Sequence, residues 1–150
     1  RLALIGSSLP MPVADVLLDA ARDDEPRAAA MVNGWSYSPQ GQIGGNPVPG
    51  LWMLGMNERL MARQKPGVFP IDLAACHAYT RPPETLTALA CPVLVIAGSA
   101  DRMTPLKAAR ALTAAIPAGR LVVLPGSGHA LMAERPDGVL DALREFAAAD

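Results

Sequence analysis

Hydrophobic residues along this chain form three short runs, at residues 2–5, 92–97 and 121–124. Each run is continuous rather than alternating, which is typical of strands that are buried on both faces of a sheet. A turn that contains glycine follows each run. The pattern therefore predicts three buried strands.

A helix is predicted between the second and third runs. Thr104 suits a helix N-cap and Pro105 the first helical position, and apolar residues recur at helical spacing until Pro117. A strand, a helix and a strand in so short a span predict a βαβ unit with parallel strands. A last helix follows residue 129, and its apolar face is predicted to carry Val139, Leu140, Leu143 and Phe146.

Residues 13–90 are too many for an ordinary crossover between two parallel strands, so we expect a helical subdomain there. Helical segments are predicted at 13–24, 26–33, 51–64 and 72–80, and a loop rich in glycine and proline at 38–50. The chain thus divides into an α/β core, residues 1–12 and 91–150, and an insertion, residues 13–90.

Five of the six aromatic residues fall in this insertion: Trp35, Tyr37, Trp52, Phe69 and Tyr79. One interpretation is that they form the small core of the insertion, because aromatic side chains dominate burial. The other is that some of them line an adaptable apolar pocket over an active site, together with Met31, Met53, Met56 and Met61.

Composition and charge exclude several classes of protein. With 51% hydrophobic and 18% charged residues, the chain is expected to fold. A net charge of −1 without a basic block makes nucleic acid a poor partner. No apolar run approaches the ~18 residues of a membrane span. Cys76 and Cys91 show no spacing typical of a disulfide framework or a zinc site, so a reduced, cytoplasmic setting is expected.

Asp101 and His129 carry the candidate chemistry. Each lies in a loop just past the carboxyl end of a predicted strand, where open α/β sheets place their catalytic groups. Alone, Asp101 could be a carboxylate at a helix N-terminus, and His129 a hydrogen-bonded loop histidine. Together, on neighbouring loops, they are typical of a base and the carboxylate that orients it, which is part of a nucleophilic triad.

These segments resemble the α/β-hydrolase family, in its serine-hydrolase branch. Residues 91–98 with Asp101 and Pro105 are similar to the family's seventh strand and acid loop, and residues 125–129 with Glu134 and Pro136 to its histidine loop. Residues 2–12 resemble the sixth strand, and residues 13–90 stand where the family has a helical cap or lid. The resemblance implies the C-terminal part of an α/β-hydrolase sheet, with three parallel strands, flanking helices and an inserted cap.

The resemblance also implies an activity, namely that of a serine hydrolase on an ester or similar acyl substrate, with Asp101 as the acid and His129 as the base. The apolar, Met-rich lid favours a small hydrophobic acyl or alkyl group. No metal or organic cofactor is implied. The resemblance leaves a second hypothesis open, in which the chain is a non-catalytic binding or assembly module derived from the same fold.

The nucleophile is the departure from the family pattern, because no Gly-x-Ser-x-Gly elbow is present. The nearest candidate, Gly6-Ser7-Ser8-Leu9-Pro10, has proline in place of the final glycine, and its serines are better explained as turn or capping residues. Ser127 is too close to His129 in sequence to reach its reactive nitrogen. The sequence therefore predicts the C-terminal part of a longer enzyme. Such a part would pair with the missing N-terminal part, or with itself, through the sheet edge at residues 2–5.

Three lesser features complete the sequence-based hypotheses. Cys76 and His77 are neighbours on a predicted helix and cannot face each other, so a catalytic dyad is not expected. The segment 44–50 is interpreted as a hinge or surface loop and not as a phosphate loop. Glu134 is interpreted as a carboxylate in the first turn of a helix, with a supporting role near His129 as the alternative.

Overall fold

A three-stranded parallel sheet forms the centre of the computed structural model, which describes residues 1–45 and 48–149. Its strands are β1 (Leu2–Ile5), β2 (Val93–Gly98) and β3 (Gly119–Leu124), in the order β1-β2-β3. Val93 pairs with Leu2 on one side and with Gly119 on the other. The predicted strands and their parallel arrangement are confirmed, and this register brings the carboxyl ends of all three strands to one edge.

Helices occupy most of the rest of the described chain. Those between β1 and β2 are α1 (Asp15–Asp23), α2 (Glu25–Ser36), α3 (Pro39–Gln42), α4 (Met53–Met61), α5 (Val68–Ala78) and α6 (Glu84–Thr87). Those after β2 are α7 (Leu106–Ala114), α8 (Leu131–Glu134) and α9 (Pro136–Ala148). Among residues 1–45 and 48–149, no helix is both long and apolar enough to cross a bilayer.

Strand β2 is buried along its whole length because helices pack on both faces of the sheet. Alternate residues point to opposite faces. Leu94 and Ile96 pack with residues of α9, including Phe146. Val93 and Val95 pack with Ala109, Leu112 and other residues on and just after α7. The continuous apolar run of β2 follows from this two-sided burial.

The structure corrects two details of the helices around the sheet. Helix α7 begins at Leu106, one residue later than predicted, and Pro105 occupies the N-cap with extended backbone. Thr104 is therefore not the cap, and its hydroxyl is used elsewhere. On α9 the buried face carries Val139, Ala142 and Phe146, whereas Leu140 is exposed, because it lies about 100° round the helix from Val139.

The insertion has a hydrophobic cluster of its own, formed mainly by α1, α2 and α5. Its four long helices, α1, α2, α4 and α5, lie where the sequence predicted them, within a few residues. Helix α3 was not predicted and corrects the loop expected at 38–50. It forms because the Ser38 hydroxyl accepts a hydrogen bond from the Gly41 amide and Pro39 occupies its first turn. Of the predicted loop at 44–50, residues 46 and 47 lie outside the described residues.

The aromatic residues of the insertion have different environments. Trp35 and Phe69 pack against the cluster of the insertion, and Tyr37 is buried. Trp52 and Tyr79 are exposed. The interpretation that these residues form a core is thus right for Trp35 and Phe69 and wrong for Trp52 and Tyr79.

Candidate active site

Three loops meet at the carboxyl edge of the sheet, one after each strand. The loop after β1 brings Gly6, the loop after β2 brings Asp101 and Thr104, and the loop after β3 brings His129. Because the strands are parallel and adjacent, these loops are neighbours although they are far apart in sequence.

The second and third loops are joined by backbone contacts. The Ala100 amide donates to the Ser127 carbonyl at 2.9 Å, and the Gly126 amide donates to the Ser99 hydroxyl at 2.8 Å. A Cβ atom at Gly98 would lie 2.3 Å from the Gly128 carbonyl oxygen, so only glycine permits this approach. The short distance between Asp101 and His129 depends on this close contact.

Asp101 and His129 form the central pair of the site. Oδ2 of Asp101 lies 2.9 Å from Nδ1 of His129. The Asp101 side chain is inaccessible to solvent, whereas the His129 side chain is 33% exposed. Burial alone would raise the pKa of Asp101, but hydrogen bonds from His129 and Thr104, with the charge that His129 carries when protonated, lower it below its ordinary value. This arrangement favours an ionised carboxylate that accepts the Nδ1 proton.

Thr104 contacts both residues of this pair, and the sequence did not predict that role for it. Its hydroxyl lies 2.8 Å from Oδ2 of Asp101, 3.0 Å from the Gly6 carbonyl oxygen and 3.2 Å from Nδ1 of His129. Oδ1 of Asp101 accepts the amides of Met103 and Thr104, both at 2.8 Å. Asp residues commonly accept hydrogen bonds from backbone amides a few positions later, so the sequence carried a signal for this turn, although not for the contact of the Thr104 hydroxyl.

A cavity of about 260 Å³ opens beside His129. Its apolar lining includes Met11, Leu17, Trp35, Leu73 and Met103. The sequence-based interpretation is therefore right for Trp35 and wrong for Met31, Met53, Met56 and Met61, because other methionines line the cavity. Two larger cavities, of about 510 and 310 Å³, lie elsewhere on the insertion. Gln42 and Trp52 are among the residues that line the first, and Glu25 and Phe69 among those that line the second, and neither cavity is lined by Asp101 or His129.

Comparison with known proteins assigns the chain to a family. A model of the alpha/beta hydrolase family matches residues 2–142. The chain belongs to the alpha/beta hydrolase family. Among curated proteins it is similar to the one named "Putative carbamate hydrolase RutD" of Klebsiella pneumoniae subsp. pneumoniae, with 28% identity over 159 residues that cover 87% of this chain and 59% of that protein.

Solved structures show the same fold. A hydrolase from Pseudomonas aeruginosa PA01 has a TM-score of 0.79 and 24% identity, over 99% of this chain and 56% of that chain. A thermophilic esterase has a TM-score of 0.78 and 23% identity, over 97% of this chain and 54% of that chain. The chain thus spans somewhat more than half the length of these relatives.

The serines of this alpha/beta hydrolase chain make contacts other than with the histidine. Ser7 donates to the Ile5 carbonyl at 3.4 Å and Ser8 to the Pro10 carbonyl at 3.1 Å, although Ser8 lines the cavity. Ser127 is fully buried, and its hydroxyl donates to the Gly128 carbonyl at 3.3 Å. Within the described residues, every hydrogen bond of the His129 ring involves Nδ1.

Cys76 and His77 have separate surroundings. The His77 ring lies against the backbone of Val13, 3.1 Å from its carbonyl oxygen. Cys76 is half-buried and lines the cavity beside His129. The sequence pattern around Cys76 did not predict this position beside the cavity.

Glu134 lies in α8, and its side chain is buried among backbone and hydroxyl groups. Its carboxylate accepts the Gly128 amide at 2.8 Å and the Ser38 amide at 3.1 Å, and it also accepts the Ser38 hydroxyl. Glu134 therefore lies in the first turn of a helix, as predicted, and its carboxylate also contacts the histidine loop.

Proposed function

We propose that this chain supplies the acid and the base of a Ser-His-Asp triad in a serine hydrolase that acts on an ester or similar acyl substrate. The observation that carries the proposal is the 2.9 Å contact between a fully buried Asp101 carboxylate and Nδ1 of a partly exposed His129. A carboxylate in this position holds the imidazole in one tautomer and stabilises the imidazolium that forms during the reaction.

The proposed reaction uses the two nitrogens of His129 differently. Nδ1 keeps its proton and donates it in the hydrogen bond to Asp101. Nε2 therefore takes the proton from the serine hydroxyl as that oxygen attacks the substrate carbonyl. The imidazolium then returns the proton to the leaving group, whose bond to the acyl carbon breaks. Water, activated by the same nitrogen, hydrolyses the acyl-enzyme and regenerates the serine.

The serine is proposed to lie outside residues 1–150. Support comes from Ser7 and Ser8, whose hydroxyls donate to backbone carbonyls and not to His129. It also comes from the relatives, of which this chain spans 54 to 59%. In the same proposal, β1, which is an edge strand of the sheet among the described residues, pairs with a strand from the remainder of the enzyme.

The substrate is proposed to carry a small apolar acyl or alkyl group. The cavity beside His129 is lined largely by apolar side chains, as pockets that bind apolar groups are. Residues 13–90 would act as the cap, because Leu17, Trp35 and Leu73 of α1, α2 and α5 supply part of that lining. The esterase and the carbamate hydrolase named among the relatives agree with a substrate that has a carbonyl and a leaving group.

Covalent trapping of the nucleophile tests this function. In the full-length enzyme, a fluorophosphonate ester should label one serine, and peptide mapping should place that serine outside residues 1–150. His129→Ala should abolish the labelling, because the serine then lacks its base. His77→Ala is the matched control and should leave it unchanged.

Each other outcome of the trapping experiment has a definite meaning. Labelling at Ser8 would refute the proposed location of the nucleophile. Full labelling of His129→Ala would remove His129 from the mechanism. An unmodified full-length protein that neither reacts with the probe nor hydrolyses esters would favour the binding or assembly module instead.

A further inference from the structure

Two segments of the chain meet at the carboxylate of Glu134, which is 4% exposed. Gly128, next to His129, donates its amide to Oε1 at 2.8 Å. Ser38, between α2 and α3 in the insertion, donates its amide and its hydroxyl. One buried side chain thus joins the histidine loop to a segment of the insertion that lies 96 residues earlier in the chain.

All these groups donate hydrogen bonds to Glu134. An ionised carboxylate, which only accepts, matches such a set of donors. The Ser38 hydroxyl can donate because it accepts from the Gly41 amide through its own lone pair.

The backbone on both sides of His129 is attached to the insertion. Gly128 is attached through Glu134, and the Ala130 amide donates directly to the Ser36 carbonyl at 2.9 Å. A Cβ atom at Gly128 would lie 2.7 Å from both the Ser36 carbonyl oxygen and the Ser38 amide nitrogen. Residues 36–38 therefore determine where the peptide units beside His129 can lie.

We propose that Glu134 is a positioning residue for His129. Through Glu134, the placement of residues 36–38 in the insertion determines the orientation of the catalytic base. This inference rests on the proposed function of His129. In the described part of the chain, the Glu134 carboxylate makes no hydrogen bond to the His129 imidazole. Glu134 therefore acts through the Gly128 backbone and not on the reacting atoms.

The test uses Glu134→Gln and Ser38→Ala in the full-length enzyme. Gln fits the same space and its carbonyl oxygen still accepts hydrogen bonds, but its NH₂ group only donates, so the contacts on one side of the carboxylate are lost. We expect kcat on a short-chain p-nitrophenyl ester to fall about tenfold to hundredfold in Glu134→Gln, with KM little changed, because the base is misplaced. Ser38→Ala retains the Ser38 amide and should show a smaller loss of the same kind.

A second measurement separates positioning from mere stability. In ¹⁵N NMR spectra of the imidazole nitrogens, the His129 signals should shift in both variants, while those of His77 should not. Glu145→Gln is the matched control, because Glu145 is an exposed glutamate of α9 that pairs with Arg120 on the surface. It should leave kcat and both histidines unchanged.

The outcomes distinguish this proposal from the function on which it rests. Unchanged kcat and unchanged His129 signals in a folded Glu134→Gln would refute the positioning role, even if Asp101 and His129 prove essential. A lower melting temperature with kcat and His129 unchanged would show a structural role only. If Glu134→Gln does not fold, kcat and the His129 signals of Ser38→Ala test the proposal instead. Unchanged kcat and unchanged His129 signals in Ser38→Ala would then refute it.

Discussion

Asp101 takes its position from its own loop, whereas His129 takes its position from a part of the chain that is distant in sequence. The Asp101 carboxylate accepts the amides of Met103 and Thr104, two and three residues later. The peptide units beside His129 are instead bonded to Ser36 directly and to Ser38 through Glu134. The acid of this proposed pair is thus fixed locally, and the base by tertiary contacts.

This difference has a functional consequence. The contacts of Oδ1 form with the turn itself, so we expect Asp101 to stay in place as long as this turn and its contacts with Gly6 and Ser127 are intact. The placement of His129 requires that the insertion packs correctly on the core. A change in the insertion is therefore expected to alter the base while it leaves the acid unaffected.

Gly128→Ala should give the larger effect in this comparison, because it disturbs the distant contacts. Its methyl group would meet the Ser36 carbonyl and the Ser38 amide at 2.7 Å, and both are backbone atoms that cannot move alone. We expect the free energy of unfolding in urea to fall by about 1–3 kcal/mol, the usual cost of overpacking.

Gly34→Ala is the control for that experiment. Gly34 lies in α2, and no atom would come within 4 Å of an added Cβ. Alanine there should be neutral or should stabilise the helix by about 0.5–1 kcal/mol. Equal effects of the two substitutions would show that the contact between Gly128 and the insertion does not constrain the loop.

Acidification is expected to have a smaller effect on the free energy of unfolding, because it disturbs the local contacts of Asp101. The pKa of Asp101 is lowered in the folded protein, so its contribution to stability is present above the ordinary Asp value of about 3.9 and is lost as the pH falls through the folded value. The stability of the unmodified protein relative to Asp101→Asn should therefore be smaller at pH 3 than at pH 5, as measured by urea unfolding. A larger difference at pH 3 would mean that the pKa is raised.

The same contrast explains what the sequence could predict. The strands and the places of Asp101 and His129 were predicted because buried runs and the turns after them are local patterns. The contact of Thr104 with Asp101 is also local, because it spans three residues, although Thr104 was interpreted as a helix cap. The sequence gives Leu140 the same hydrophobic character as Leu143, but only packing of α9 on the sheet shows that Leu140 is exposed and Ala142 buried.

The contacts of Glu134 with Ser38 could not be predicted in this way. The two residues are 96 positions apart, and neither belongs to a periodic pattern that points to the other. The lining of the cavity is a similar case, because Met11 and Met103 contribute from loops rather than from the helices in which the methionines were expected.

Turnover of an ester by Asp101→Asn, in the full-length enzyme, tests the central claim most directly. Asparagine keeps the shape of the carboxylate but cannot hold the required tautomer of His129, and serine proteases lose about 10⁴-fold in kcat for this change. We expect a loss of that order in kcat, while Asp141→Asn on the exposed face of α9 retains full activity. Near-full activity of a folded Asp101→Asn would contradict the account.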